Sequence, residues 1–328
     1  MPVQLETPLA SDDIVMHDVA LPLRATFFPL GFPVEVATNS EAVIMAARQS
    51  WGLFRATSLD APISLNLAVT EDDDERAMPP RPQFRSQGHL MSIVADARNQ
   101  IICDLERGSA TGWITQRIAE NTPLMRLRFM ESSVMSVLVA TRLAAMHAAL
   151  VARRGVGVAF CGESYAGKST LAYACARSGW TLISDDGTFL DRNNTGRYAV
   201  GNPYRVRFRE DAKFLFPELA DFKVIRRLNG ALALEVPTAD LGVATAVGHS
   251  VDHLVFLRRS RSCEARINRY SAAEALRWLE KATLYGPEHV RTAQRQAYRR
   301  LVDASAWELH YSDLSDAIQL LDQLGEPA

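Results

Sequence analysis

Four cysteines in 328 residues, at positions 103, 161, 175 and 263, are too few and too irregularly spaced for a metal-ligand set. Most fall in apolar segments, so buried, reduced thiols are expected. No apolar run reaches membrane-spanning length, and the stretch from Met1 to Thr7 lacks the basic start and apolar core of a secretion signal. These absences lead to the expectation of a cytoplasmic chain with no membrane partner. An excess of either charge is also missing, since 36 basic residues stand against 38 acidic ones, for a net charge of −2. No global field draws the protein to nucleic acid, so any anion binding must come from a local site. Hydrophobic residues make up 48% of the chain, enough for one large domain or two ordinary ones, each with its own core.

Such a local site is written between residues 162 and 169. Gly162-Glu163-Ser164-Tyr165-Ala166-Gly167-Lys168-Ser169 is the phosphate-cradling pattern of Gly, four residues, Gly, Lys and then Ser or Thr. The glycines let backbone N–H groups turn inward around an anion, Lys168 supplies a point charge at the outer phosphates, and the Ser169 hydroxyl takes a magnesium ligand position. The context agrees. Val156 to Cys161 is an apolar run of strand length, and Ser169 to Arg177 is rich in helix formers, with Gly179 placed to end the helix in a left-handed conformation.

Downstream, Trp180 to Ser184 reads as a second short strand that ends in Asp185-Asp186-Gly187. Two adjacent carboxylates repel, so a cation must offset them, and magnesium with a nucleotide triphosphate is the natural candidate. An ordinary Asp-Asp-Gly turn is the plainer alternative. Alternation from Tyr204 to Arg209 predicts a strand with Arg205, Arg207 and Arg209 on one face and apolar residues on the other. Arg205 and Arg207 are candidates to clamp phosphate oxygens or an acidic substrate, against the alternative of a solvated edge. Arg258-Arg259, after the apolar strand Asp252 to Leu257, is a similar pair that either approaches a nucleotide or lies on the surface.

The stretch from His147 to Ser169, followed by Arg177-Ser178-Gly179-Trp180 and Leu182-Ile183-Ser184-Asp185-Asp186, resembles the catalytic core of HPr kinase/phosphorylase over about forty residues. In that family a histidine stands on the strand before the phosphate loop, and His147 lies fifteen positions before Gly162 (162 − 147). The resemblance implies that Asp185 accepts the proton of a substrate serine hydroxyl as its oxygen attacks the γ-phosphate. Asp186 and His147 would orient that base and help organise the metal. Lys168 and the loop from Gly162 to Thr170 would hold ATP, with magnesium on Ser169 and Asp186. Family members directed at HPr carry a Glu-Ile-Arg-Gly-Leu-Gly segment after the doublet, which is missing here; Tyr198 to Phe208 stands instead, and Thr170 replaces the usual Glu. Those departures remove the basis for expecting HPr as substrate or reverse dephosphorylation. They bring the chain closer to the diverged HPr-kinase-like group, which includes kinases of biosynthetic peptides and of small serine-containing substrates.

The remainder is organised around this core. Ala25–Leu30, Val34–Ala37, Ile63–Val69, Leu90–Asp96 and Gln100–Cys103 read as strands, and Asn39-Ser40 as the cap of a helix beginning at Glu41. Residues 71–82, acidic and proline-containing, read as a solvated loop. Ser132-Ser133 is expected to cap an apolar helix running through Met146, Arg154-Gly155 to turn a hairpin, Ser271 to Glu274 to form a capping box, and Asp313 to open the last helix. The expectation is therefore an α/β fold with a P-loop kinase core of HPr-kinase type over residues 131–328. A smaller α+β domain over residues 1–130 would serve recognition, docking or assembly. The expected reaction is ATP- and Mg2+-dependent transfer of the γ-phosphate to a serine-type hydroxyl of a protein, peptide or amino-acid-like acceptor, by a chain that the resemblance implies is a homo-oligomer. A small-molecule kinase and a nucleotide-sensing module without phosphotransfer are the competing readings.

Overall fold

The computed structural model describes residues 19–324 apart from 72–77, 195, 228–229, 284–285 and 303–304. The start of the chain and half of the acidic 71–82 stretch thus lie outside the described residues. The first sheet contains β1 (Leu23–Phe27), β2 (Val34–Thr38), β3 (Ile63–Thr70), β4 (Gln83–Gln87), β5 (Leu90–Asp96), β6 (Asn99–Asp104) and β7 (Ser109–Thr115). Their order is β1-β2-β3-β7-β6-β5-β4, and only the β2–β3 and β3–β7 pairs are parallel. Helix α1 (Glu41–Trp51) makes the first of these crossovers and buries Val43, Ile44, Ala46, Ala47 and Trp51. Ser40 stands at its N-cap but makes no side-chain cap bond. Asn39 is drawn instead to β3, donating to Val69 O (2.9 Å) and accepting from Val69 N (2.7 Å).

The helix expected from Ser132 begins earlier and ends earlier. Short α2 (Gln116–Glu120) and α3 (Thr122–Leu124) lead through a π-helical stretch, Met125–Met130, into α4 (Glu131–Thr141). Ser132 and Ser133 do not cap it; their hydroxyls donate back to Leu127 O (2.8 Å) and Met130 O (2.9 Å). Beyond Thr141 the chain turns extended as β8 (Leu143–Met146), because its uniformly apolar residues fit a buried strand as well as a helix. The apolar core of this half runs from Phe27 through α4 to Leu143 and also takes in Val200 and Val290.

The second half begins with β9 (Ala148–Arg153), β10 (Val156–Cys161), α5 (Lys168–Arg177) and β11 (Thr181–Ser184). Arg154 (φ 50°) and Gly155 (φ 81°) turn the β9–β10 hairpin with the left-handed pair such two-residue loops favour. Next come β12 (Thr188–Asp191), β13 (Tyr198–Gly201), β14 (Arg205–Phe208), α6 (Ala212–Leu215), β15 (Val224–Arg226), β16 (Leu232–Pro237) and β17 (Gly248–Ser250). The chain closes with β18 (His253–Arg259), β19 (Arg266–Arg269), α7 (Ala272–Thr283), α8 (Glu288–Val302), β20 (Ser305–Tyr311) and α9 (Leu314–Leu324). A six-stranded sheet has the order β11-β9-β10-β18-β20-β19, with β10, β18 and β20 parallel; the others form sheets of order β17-β13-β12-β8 and β14-β16-β15.

Both faces of the six-stranded sheet are covered. Val158 and Phe160 pack in one cluster with α5 and α9, while Ala159 and Cys161 pack in another with α7 and α8. That is why β10 is apolar at successive positions rather than alternating. The protein is a mixed α/β structure with several sheets, and among the described residues no helix is long and apolar enough to cross a membrane.

Candidate functional site

The segment from Gly162 to Gly167 leaves the end of β10, a central strand, and enters α5. Gly167 sits at the α5 N-cap with φ 94°, a conformation that only glycine takes readily. A Cβ there would also lie 2.8 Å from the Tyr311 hydroxyl, whose Oη donates to Ala166 O (3.3 Å). The first bond of α5 runs from Leu171 N to Gly167 O (2.8 Å), so the amides of Lys168, Ser169 and Thr170 have no carbonyl to meet within the helix and are available to an anion. Glu163, Ser164 and Tyr165 form the exposed crest of the loop, and Tyr165 also takes a positive φ of 72°.

Lys168 turns inward and is buried. Its Nζ donates to Gly162 O (2.9 Å) and Glu163 O (3.2 Å) and lies 3.1 Å from His147 Nε2. Burial lowers its pKa, opposed by the charge of Asp186. The other imidazole nitrogen, His147 Nδ1, is 3.1 Å from Asp186 Oδ1. A continuous polar chain thus links the loop carbonyls, the ammonium, the imidazole and the doublet. His147 is not on the strand before the loop, as the resemblance implied. It occupies the bend between β8 and β9, where the chain passes from the four-stranded to the six-stranded sheet.

The two aspartates have different surroundings. Asp185 is buried, and its Oδ2 accepts from Arg207 N (2.8 Å). Burial pushes its carboxyl up from 3.8 to about 6, the negative Asp186 adds to this, and the Arg207 amide opposes it. Asp185 O also accepts from Ser169 Oγ (3.2 Å), tying the start of α5 to the doublet. Asp186 stays half exposed. A hard cation held by Ser169 Oγ and the Asp186 carboxylate would be mostly coordinated by phosphate oxygens and water, as magnesium prefers. No cluster of three or more His, Cys, Asp or Glu side chains suited to a metal occurs among the described residues.

No protein-family model matches the chain, and no curated protein matches its sequence. Among solved structures, the HPr(Ser) kinase/phosphatase from Coxiella burnetii is similar at 14% identity, over 55% of this chain and 90% of that one, with a TM-score of 0.29. This is a distant likeness.

The arginines divide among several tasks. Val206 and Phe208 are buried while Arg205 and Arg207 point the other way, as alternation predicts, and both reach Glu235 (Arg205 Nη1–Oε2 3.3 Å, Arg207 Nε–Oε1 2.9 Å). Arg209 lies past the strand end, its guanidinium 5.0 Å from the ring centre of Tyr165 on the loop. Arg258 is engaged by Glu308 (2.7 Å), whereas Arg259 flanks the loop, its Cδ 3.6 Å from where a Gly167 Cβ would be.

Sequence reasoning missed a cleft of about 280 Å³ on the far side of the doublet. It is floored by Asp185, Asp186 and Gly187, flanked by Arg205 and Arg207, and walled by Leu30, Trp51, Phe54, Arg126 and Glu131 of the first half. Ser50 donates to Glu131 Oε1 (2.6 Å) across 81 positions of sequence, a closeness that no local pattern could have signalled.

Proposed function

We propose that the chain is an ATP- and magnesium-dependent kinase with a P-loop core, which transfers the γ-phosphate to a serine-type hydroxyl. The observation that carries this reading is the polar chain from Gly162 O through Lys168 and His147 to Asp186, because it joins an anion-binding loop to a pair of carboxylates. Binding alone needs no general base; phosphoryl transfer needs an oriented acceptor and neutralised charge.

In this reading the loop amides and the Lys168 ammonium hold the β- and γ-phosphates. The ammonium exchanges its contacts with Gly162 O and Glu163 O for phosphate oxygens. Magnesium, when bound, supplies charge neutralisation, and Ser169 and Asp186 would hold it. Asp185 takes the proton from the acceptor hydroxyl as that oxygen bonds to the γ-phosphorus and the bond to the leaving ADP oxygen breaks. A pKa of about 6 suits the task, since the carboxylate is ionised at neutral pH yet more basic than an ordinary aspartate. His147 fixes the doublet from the side.

The test uses labelled ATP, magnesium and a panel of hydroxyl acceptors. Lys168→Ala should weaken nucleotide binding by roughly one to two orders of magnitude, whereas Asp185→Asn should leave affinity near wild type and reduce transfer by about 10²–10⁴-fold. Wild-type protein that binds ATP but labels no acceptor would defeat the proposal.

A further inference from the structure

We propose that the cleft beyond the doublet is the acceptor site, and that it receives one amino-acid-sized hydroxyl compound bearing a carboxylate and an apolar body. The inference rests on the kinase reading above and adds the place and chemistry of the acceptor. Position is the first argument. No residue from Gly162 to Thr170 lines the cleft, yet Asp185 and Asp186 do, while Ser169 and the Lys168–His147 pair reach the same doublet from the loop. A donor held by the loop leaves the cleft open, and the two reactants meet across the carboxylates, as in-line displacement requires.

Size is the second argument. A cavity of about 280 Å³ is at the small end of ligand sites, too small for the surface of a folded partner and suited to one residue or its free analogue. The lining supplies the third. Leu30, Trp51 and Phe54 give an apolar wall for an uncharged body. Opposite them, Arg205 and Arg207 each spend one guanidinium nitrogen on the carboxylate of Glu235, and Arg207 also lies in the field of Asp185, which leaves several guanidinium N–H donors of the pair unused. Arg126 adds a third guanidinium; its Nε is 3.1 Å from Glu131 Oε1 but is not in hydrogen-bond geometry with it. Planar donors of this kind select a carboxylate.

A free amino-acid derivative and the terminal residue of an extended peptide present the same chemistry, so the experiment includes both. N-benzoyl-serine, N-benzoyl-serinamide, serine and an apolar pentapeptide ending in serine are incubated with labelled ATP and magnesium, and ATP affinity is measured separately. Label is expected on N-benzoyl-serine, on the pentapeptide or on both, at a kcat/KM at least about tenfold above that for the serinamide and for serine. Gln49→Trp, which fills the mouth from the exposed side of α1, should raise the acceptor KM about tenfold or more with ATP affinity unchanged. Arg205→Gln should abolish the preference for acid over amide. Equal use of the serinamide, indifference to Gln49→Trp, or ATP binding with no member labelled would each overturn the acceptor assignment. Failure to bind ATP at all would instead remove the kinase reading beneath it.

Discussion

At the scale of single residues, the buried Asp185 ties stability to pH. Its folded pKa of about 6 stands above the ordinary 3.8, so the folded chain holds this proton more tightly than the unfolded one. Its stabilising share is complete below about pH 4 and is lost as pH rises through about 6. Asn keeps an oxygen for the Arg207 amide and removes the buried charge. Asp185→Asn should therefore be more stable than wild type at pH 8 by roughly 1–3 kcal/mol, and the difference should vanish by about pH 4. Melting curves that stay parallel across that range would show that the ionised carboxyl is not penalised. The same substitution should reduce transfer by about 10²–10⁴-fold, so the buried carboxyl exchanges stability for function. Cys161, next to the loop, is buried as its apolar segment led one to expect, and burial pushes its thiol up to about 12, so it stays protonated.

At the scale of elements, the strand, glycine loop and helix from Val156 to Arg177 were legible because each residue type has a separate local task. Gly167 tests that account. Gly167→Ala should cost roughly 1–2 kcal/mol for its left-handed conformation and should weaken nucleotide binding. Adding Tyr311→Phe should recover only part of the loss, since it relieves the contact with Oη but not the φ of 94°. Chemical denaturation of the single and double variants measures both terms; complete recovery would assign the whole effect to the contact. Elements without such a local task were less legible. β4 (Gln83–Gln87) is exposed at every position and has no apolar alternation to reveal it. Ser132-Ser133 looked like a cap because hydroxyls before an apolar run usually are, but the helix had already begun upstream, so they bond backward. The hairpin at Arg154-Gly155 and the Asp313 cap, which accepts from Ser315 N (2.7 Å) and Asp316 N (3.3 Å), depend only on neighbours in sequence and were readable for that reason.

At the scale of the whole molecule, residues 131–328 share both a core and a cleft with the part of the chain before them. Val134, Val137, Leu138 and Leu143 pack with Phe27, Val36, Leu65 and Trp51, so residues 131–328 expressed alone would expose a broad apolar face. That fragment should aggregate, or bind an apolar dye strongly, rather than retain ATP affinity; a soluble, monodisperse fragment would show that the shared packing is dispensable. The aspartate doublet was visible from sequence and the cleft was not, because its wall is assembled from residues far apart along the chain. His147 joins these levels. It is the sole residue separating β8 from β9, and one residue spans less than 4 Å, so there is no slack at the seam between the two sheets. Any slip of one sheet over the other must swivel the imidazole, detaching it from Asp186 or from Lys168. The ring acts as an alignment gauge: its two hydrogen-bonding edges can both be engaged only when the two sheets are in register.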